Sequence, residues 1–240
     1  MKHRDIREIL DGWAPPERPN GALLDGAYVT LERLSAASHA SAIHGANAQD
    51  DAIWDYMPYG PFSTTAAYSA WVQSVSAGAD PLFYAILDKA RGRWGGVASY
   101  LRIAPDAGSI EVGHINFAAP LQKTRAATEA MYLMMKWVFQ AGYRRYEWKC
   151  DAANLASRRA AQRLGFSYEG VFRQATVVKG RNRDTAWFAM IDSEWPALER
   201  AFERWLRPDN FDSGGRQRTR LSKLTAPIRV SADPAVRAGC

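Results

Sequence analysis

The chain contains little cysteine, little histidine and no long apolar run. Its two cysteines, Cys150 and Cys240, lie far apart in sequence, which argues against a disulfide framework and favours the reducing cytoplasm. No Cys/His spacing matches a zinc site, and no apolar stretch approaches the roughly 20 residues that a membrane-spanning helix needs. The charged start of the chain lacks the apolar segment of a secretory signal. We therefore expect a soluble, cytoplasmic protein that binds neither metal nor membrane.

The net charge of +6 is concentrated near the C-terminus. The segment after Leu206 holds seven basic and three acidic residues, a net charge of +4, among Gly, Ser and Pro residues. A nucleic-acid site needs basic residues clustered on a folded face, and this composition does not predict one. We therefore expect a basic, flexible tail over residues 207–240 and no nucleic-acid partner.

The rest of the chain divides into an arm and one domain. Residues 1–26 contain three prolines, which favour an irregular arm apart from a short helix predicted at Asp5–Leu10. Trp13 is the side chain expected to anchor this arm. Residues 27–206 have a composition and a length that suit a single globular core.

Hydrophobic patterning and turn residues predict an α/β domain of the mixed α+β kind. Strands are expected at residues 27–34, 82–87, 94–103, 109–117, 144–150, 166–178 and 185–191. Helices are expected at residues 37–48, 64–77, 155–164 and 193–206, together with a long, mostly apolar helix that ends near Phe139. Three consecutive antiparallel strands lead into the long helix, which allows the strands at 109–117 and 144–150 to lie parallel.

A polar turn opens the long helix and predicts an anion site there. Free backbone N–H groups and the positive end of the helix dipole favour a bound phosphate at a helix N-terminus. The residues of this turn follow one another in the sequence: Gln122, Lys123, Thr124, Arg125, Ala126 and Ala127.

This run resembles the pyrophosphate loop Arg/Gln-x-x-Gly-x-Gly/Ala of the GNAT superfamily of N-acetyltransferases. The order of parts around it is similar to that of the ribosomal-protein (Rim-type) branch over residues 28–206: a strand, the loop, a helix, a strand, then Asn154 and Leu164-Gly165-Phe166. The resemblance implies a central mixed, mostly antiparallel sheet that is flanked by helices and splayed between the fourth and fifth strands. It implies acetyl-CoA as the donor. The implied acceptor is a primary amine on a peptide N-terminus, an amino acid or a small amine.

The resemblance also assigns further residues to coenzyme A. Asn154 is similar to the family Asn that hydrogen-bonds the pantetheine arm, and it also suits the N-cap of the following helix. Ser157 and Arg158 lie one helical turn on, within reach of the phosphates or the adenosine end. Arg125 stands where the family has Gly. Three alternatives follow: the loop is less compact than in the family, the Arg125 guanidinium contacts a phosphate, or Arg125 is a solvated side chain in the first turn of the helix.

Acyl transfer to an amine benefits from a base because a lysine-like ammonium, with a pKa above about 10, is mostly protonated at neutral pH. Glu111 stands eleven positions before Gln122, and a Glu at the matching spacing is the base in some family members. Its alternative role is an ion pair with a neighbouring Arg. Strict alternation directs His114 to the opposite face from Glu111 unless a bulge intervenes. Glu147 on the next strand is a further candidate.

Other features leave alternatives open. Ala161 occupies the position at which many family members carry the Tyr that protonates the leaving thiolate, so the general acid is unassigned. Cys150 has no His in a motif relation and is expected to be a buried apolar residue. The aromatic, proline-rich stretch at residues 54–62 is either a packed loop or one wall of the acceptor cleft. Transfer of another short acyl group, such as succinyl from succinyl-CoA, non-catalytic acyl-CoA binding and a homodimer remain open.

Overall fold

An eight-stranded sheet organises the fold. The computed structural model describes residues 10–236. The strands are β1 (Leu24–Asp25), β2 (Val29–Arg33), β3 (Leu82–Asp88), β4 (Arg93–Ala104), β5 (Ser109–Phe117), β6 (Arg145–Asp151), β7 (Ser167–Val178) and β8 (Arg181–Ile191). The helices are α1 (Ala36–Asn47), α2 (Thr65–Ser76), α3 (Arg125–Gln140), α4 (Leu155–Arg163), α5 (Trp195–Leu206) and α6 (Leu221–Thr225).

The strand order is β1-β2-β3-β4-β5-β6-β8-β7, and every neighbouring pair is antiparallel except β5 with β6. Helix α3 supplies the crossover that a parallel pair requires. The parallel pairing joins only Ser109–Val112 to Arg145–Trp148, so the two strands separate beyond these residues. This confirms the predicted mixed, mostly antiparallel sheet that is splayed between the strands predicted as the fourth and fifth.

Each face of the sheet buries its own cluster of side chains. On one face, alternate strand residues such as Tyr84 and Tyr100 pack with Met134 of α3, and α4 and α5 contribute to the same cluster. On the opposite face, α1 and α2 pack against β4 and β3, where Phe83 packs edge-on against Trp71 of α2. The two faces follow from the period-2 alternation of side chains along each strand.

Most predicted bounds match the observed ones to within two residues, and two features differ further. A short strand, β1, pairs with β2 inside the segment expected to be an irregular arm. The final hairpin turns over only Lys179 and Gly180, whose φ angles are 48° and 74°, so β8 begins at Arg181 and not at Thr185. Positive φ at both central residues is the geometry of a two-residue hairpin turn, and it lets the polar residues before Thr185 pair as strand. Because residues 179–184 are polar or glycine, the sequence predicted a longer loop there.

The described part of the arm packs against the turn between β4 and β5. The indole ring of Trp13 packs on Gly108, and the guanidinium of Arg144 lies 5.7 Å from the centroid of that ring. The short helix predicted at Asp5–Leu10 lies outside the described residues except for its last residue, and Cys240 lies outside them altogether. The division of the chain at residues 26 and 206 stays a prediction.

The segment after α5 packs on the body, which differs from the flexible tail expected from its composition. Leu221 and Thr225 of α6 are buried, and the Thr225 hydroxyl donates to the carbonyl of Arg163 at 3.0 Å. Asp233 is buried and pairs with Arg158 of α4. The composition of this segment predicted solvated residues, because it gives no information on their partners, which lie on α4.

Candidate active site

The split between β5 and β6 creates two facing strand edges. Val112 and Trp148 are the last residues that pair across it, so Gly113 on β5 and Lys149 on β6 are the first beyond it. From there β5 pairs only with β4, and β6 pairs only with β8. Backbone N–H and C=O groups along the two inner edges therefore have no strand partner, and a linear ligand that carries amides is suited to pair with them.

The first turn of α3 lies next to the end of β5. The side chain of Thr124 caps the helix and accepts a hydrogen bond from the N–H of Ala127 at 3.0 Å. The N–H groups of Arg125 and Ala126 have no carbonyl partner within the helix, because they belong to its first turn. Lys123 is exposed and has a φ of 59°, which brings the chain round sharply before the cap. The turn thus keeps free N–H donors at Arg125 and Ala126, whereas the N–H groups of Gln122, Thr124 and Ala127 already have acceptors.

Arg125 is held between two aromatic rings. Its guanidinium carbon lies 4.5 Å from the ring centroid of Tyr28 and 3.6 Å from that of Phe211. No carboxylate in the part of the chain that the structure describes lies within ion-pair distance of it. Stacking fixes the plane of a guanidinium and leaves its N–H edge available for an anion. Of the three roles considered for Arg125, the solvated side chain is the one that this packing does not fit.

Glu111 is buried on β5 and makes two ion pairs. Its Oε1 accepts a hydrogen bond from Arg102 at 2.7 Å, and its Oε2 lies 2.9 Å from the ammonium of Lys149. Arg102 reaches it because a bulge in β4, with a φ of 47° at Arg102, turns that side chain out of the regular alternation. Burial raises the pKa of the Glu111 carboxyl above its usual range, and the neighbouring cations offset this only in part.

Glu147 stands directly opposite Glu111 in the parallel register. Its Oε2 lies 2.7 Å from Lys149 Nζ, and its Oε1 accepts a hydrogen bond from Arg145 at 2.6 Å. Burial alone raises the pKa of Glu147, but the hydrogen bonds from Lys149 and Arg145 outweigh it, so the pKa lies below its usual range. The two candidate bases therefore differ, since Glu111 holds a proton more readily than Glu147 does.

His114 faces the same side of the sheet as Glu111, contrary to strict alternation. A bulge adds one residue to β5 opposite β4, and His114 adopts a φ of 51° within it. The ring is stacked on Tyr59 with an interplanar angle of 9°, its Nδ1 lies 3.3 Å from the Tyr59 hydroxyl, and Phe83 packs against it. Burial, aided by the charge of Arg102, lowers the pKa of His114 to about 4. His114 is therefore neutral at neutral pH.

The aromatic stretch at residues 54–62 is packed and also borders this face. Trp54, Tyr59 and Phe62 pack together, and Phe62 packs on Tyr68 of α2. Lys179, at the tip of the β7–β8 hairpin, donates to the carbonyl of Trp54 at 3.0 Å. The stretch thus lies between the His114 side of β5 and the hairpin tip. The packed loop is confirmed, and the wall of the acceptor cleft stays a prediction.

The residues predicted on α4 do not come together as one coenzyme site. Asn154 caps α4 by accepting from the N–H of Ser157 at 3.0 Å, and the Ser157 hydroxyl accepts from Trp148 Nε1 at 3.0 Å. The Arg158 guanidinium donates hydrogen bonds to Asp233 and to the carbonyl of Ala152, so it is not directed to the turn at residues 122–127. Ala161 is fully buried.

Residues outside the predicted set also reach the site. Lys149 and Arg102 contact the predicted catalytic glutamates, and neither was singled out from the sequence. Tyr59, which contacts His114, belongs to the aromatic stretch at residues 54–62. Lys149 alternates with Glu147 along its strand, which was a signal that the two side chains share a face. Buried Cys150 has a pKa that burial raises to about 11, as suits a structural thiol.

Two classes of site are not found among residues 10–236. No group of His, Cys, Asp and Glu side chains there is arranged to hold a metal ion. Within the same range, no helix has the length and apolar character needed to cross a bilayer.

Comparison with known proteins defines the class. Residues 29–167 match the family model described as an acetyltransferase (GNAT) domain. A GCN5-related N-acetyltransferase from Brucella melitensis is 44% identical, with a TM-score of 0.88 over 90% of this chain and 100% of that chain. A protein described as a probable acetyltransferase (GNAT family) from Chromobacterium violaceum is 42% identical, with a TM-score of 0.75 over 80% of this chain and 96% of that chain. The chain belongs to the GNAT family and is an acyltransferase.

More distant likeness shows the fold alone. An acetyltransferase from Salmonella typhimurium that modifies the N-terminal serine of a 50S ribosomal subunit protein is 21% identical, with a TM-score of 0.61 over 71% of this chain and 99% of that chain. No curated protein matches the chain at a significant level.

Proposed function

We propose that this protein is an N-acetyltransferase that moves the acetyl group of acetyl-CoA to a primary amine. The observation that supports the proposal best is the split beyond Val112 and Trp148, with the free N–H groups of α3 at one end and Glu111 at its origin. Positioning of two reactants in line supplies much of the rate in such a reaction, and a split sheet with two open edges is a rigid frame for it.

The residues present fit coenzyme A. The backbone edges of Gly113–Phe117 and Lys149–Asp151 suit the amides of the pantetheine arm, and residues 122–127 suit the pyrophosphate. Asn116 on the open part of β5 is buried, and neither polar atom of its side-chain amide has a partner among the described residues. A buried amide without partners is costly, so it supports a ligand that completes its hydrogen bonds. The coenzyme supplies an activated acetyl group as a thioester.

Glu111 is the base that we assign to the reaction. Its carboxyl lies at the origin of the split, and its raised pKa makes it a better proton acceptor at neutral pH than Glu147. The low pKa of His114 makes its ring a weak base. We assign His114 and Tyr59 to the wall that orients the amine, because both rings are fixed by packing on the same face as Glu111.

The acceptor, the branch and the acyl group belong to the same proposal. The order of parts supports the ribosomal-protein branch, which favours a peptide N-terminus over an amino acid or a small amine. Transfer of another short acyl group, such as succinyl, is the alternative enzyme, and the described residues do not favour one acyl size. The scarcity of cysteine supports a cytoplasmic location. Non-catalytic acyl-CoA binding is the remaining alternative.

The experiment incubates the protein with acetyl-CoA labelled in the acetyl group and with a panel of peptide, amino-acid and small amines. Release of free thiol and recovery of labelled amide are measured together, with succinyl-CoA in a parallel series. We expect equal amounts of thiol and labelled amide for at least one amine. Thiol release without amide would show hydrolysis only. Binding of coenzyme A with neither product would show the non-catalytic alternative.

A further inference from the structure

The ammonium of Lys149 lies where β5 and β6 separate. Trp148 is the last β6 residue that pairs with β5, and Lys149 follows it directly. The Lys149 side chain is only 9% exposed, with Nζ 2.9 Å from Glu111 and 2.7 Å from Glu147. Its Nζ also lies 3.7 Å from the ring centroid of Trp187 on β8. The Lys149 ammonium thus contacts the assigned base, Glu111, at the point where the two strands separate.

A purely structural role explains this arrangement poorly. Burying an ammonium between carboxylates is rarely more stabilising than apolar packing, so such a pair is weak evidence for stability. Each carboxylate also has a second cation: Arg102 contacts Glu111, and Arg145 contacts Glu147. The position of Lys149, and not a need for charge balance, is what sets it apart from the two arginines.

We propose that Lys149 is the catalytic proton donor to the sulfur of the departing coenzyme, an assignment that rests on the function proposed above. In the balanced step, Glu111 accepts a proton from the attacking amine while the carbon–nitrogen bond of the amide forms. The carbon–sulfur bond of the thioester breaks, and the ammonium of Lys149 gives a proton to the leaving sulfur. Glu111 then returns the amine proton to Lys149 across their 2.9 Å contact, so both side chains regain their starting states.

Lys149 fills the role of proton donor that Ala161 of α4 leaves open. Ala161 has no proton to give, and the Tyr59 hydroxyl lies beside His114 on the aromatic wall. An ammonium at the origin of the split also stabilises a developing thiolate by its charge before the proton moves. Charge and proton donation are separable, because an arginine keeps the first and cannot supply the second.

The test titrates the thiol of bound coenzyme A through the ultraviolet absorbance of its thiolate, with the absorbance of the protein alone subtracted. In the unmodified protein we expect the pKa of the bound thiol to fall about one to two units below that of the free coenzyme, because a nearby opposite charge favours the ionised form. Lys149→Met should return it to near the free value, and Lys149→Arg should keep it low. Lys136→Met, which removes an ammonium that lies 3.3 Å from Glu199 of α5, is the matched control and should change nothing.

Turnover then distinguishes the two contributions. Both Lys149→Met and Lys149→Arg should lower kcat by about 10²-fold, the low end for a lost general acid. Full activity of Lys149→Arg would show that only the charge matters and would overturn the proton donor. If Lys149→Met does not fold, Lys149→Arg still decides the matter through its kcat. A protein that transfers acetyl groups but leaves the bound thiol unperturbed refutes only the assignment of Lys149, whereas failure to bind coenzyme A refutes the proposed function.

Discussion

Asp233 accepts two hydrogen bonds from Arg158, each 2.6 Å long, from Nε and from one terminal nitrogen of the guanidinium. The acid lies near the C-terminus and the arginine in the first half of α4, so the pair fastens the last described residues to the domain. Both side chains are buried. A charged pair removed from water depends on its partner, because either member left alone is an uncompensated buried charge.

Asp233→Ala should therefore lower the free energy of unfolding by about 3–5 kcal/mol, the range for breaking one side of a buried ion pair. Chemical denaturation followed by circular dichroism measures it. Asp209→Ala is the matched control, because it breaks the exposed pair with Arg207 and should leave the free energy of unfolding nearly unchanged. Equal, small effects of the two variants would show that the C-terminal segment is not fastened in solution.

Glu111→Gln should lower turnover by about 10²-fold at neutral pH and leave the affinity for coenzyme A nearly unchanged. The unmodified enzyme should lose activity with acidification at a pH above the usual carboxyl range, since burial raises the pKa of Glu111. This acidic limb should be absent from the variant. A profile of kcat against pH for both proteins measures the effect, with an amine of known pKa.

Stability gives an independent check on the same residue. A carboxyl with a raised pKa binds its proton more tightly when folded, so its contribution to stability is largest at pH values below its unfolded pKa. That contribution is lost as the pH rises through the raised pKa. Glu111→Gln should remove this dependence. If the variant loses stability at every pH but keeps its full rate once folded, Glu111 is only an ion-pair partner.

His114→Asn should flatten the acid side of the stability profile. The pKa of His114 is lowered to about 4, so the folded protein binds its proton less readily than the unfolded chain does. Its contribution to stability is present above the unfolded pKa of about 6.5 and is lost as the pH falls towards 4. Asn tolerates the positive φ at this position, so the bulge survives the change. Thermal midpoints between pH 4 and 7 measure it, and parallel curves for the two proteins would contradict the lowered pKa.

Two substitutions at Arg125 separate the contribution of its guanidinium to coenzyme A binding from that of its backbone N–H. Arg125→Ala removes the side chain alone, and we expect it to weaken coenzyme A binding about 10-fold, as for one hydrogen bond to a charged group. Arg125→Pro also removes an N–H, and we expect a further loss of about 10-fold. Proline suits the first position of a helix, and Thr124 before it is already extended, with φ −87° and ψ 166°. Calorimetric titration measures both variants, and equal affinities would remove the free N–H from the binding site.

Periodicity was sufficient for most of the fold. The strand at 109–117 was predicted with the bounds that the structure shows, and the strand at 144–150 was predicted to within one residue at each end. Parallel pairing across the long helix followed from its length. These features depend on local sequence, so a single chain reveals them.

The rest depended on contacts between distant residues. His114 turns to the face of Glu111 only because β5 carries a bulge with positive φ, which no local signal at a His predicted. The ion pairs of Glu111 require the register of β4, β5 and β6 together. From the sequence alone Asp233 is expected to be a solvated acid, because its partner Arg158 lies on α4, 75 residues earlier. Each case involves one side chain whose role is set by a partner elsewhere in the chain.

The central claim is that the donor binds in the split between β5 and β6. NMR titration of ¹⁵N-labelled protein with coenzyme A tests it most directly, because every amide reports its own surroundings. We expect the largest shifts at residues 113–117, 122–127 and 149–151, and saturation at one equivalent. Shifts confined instead to the hairpin depression lined by Phe172 and Asp184, or to the surface between Arg200 and Arg218, would contradict the account.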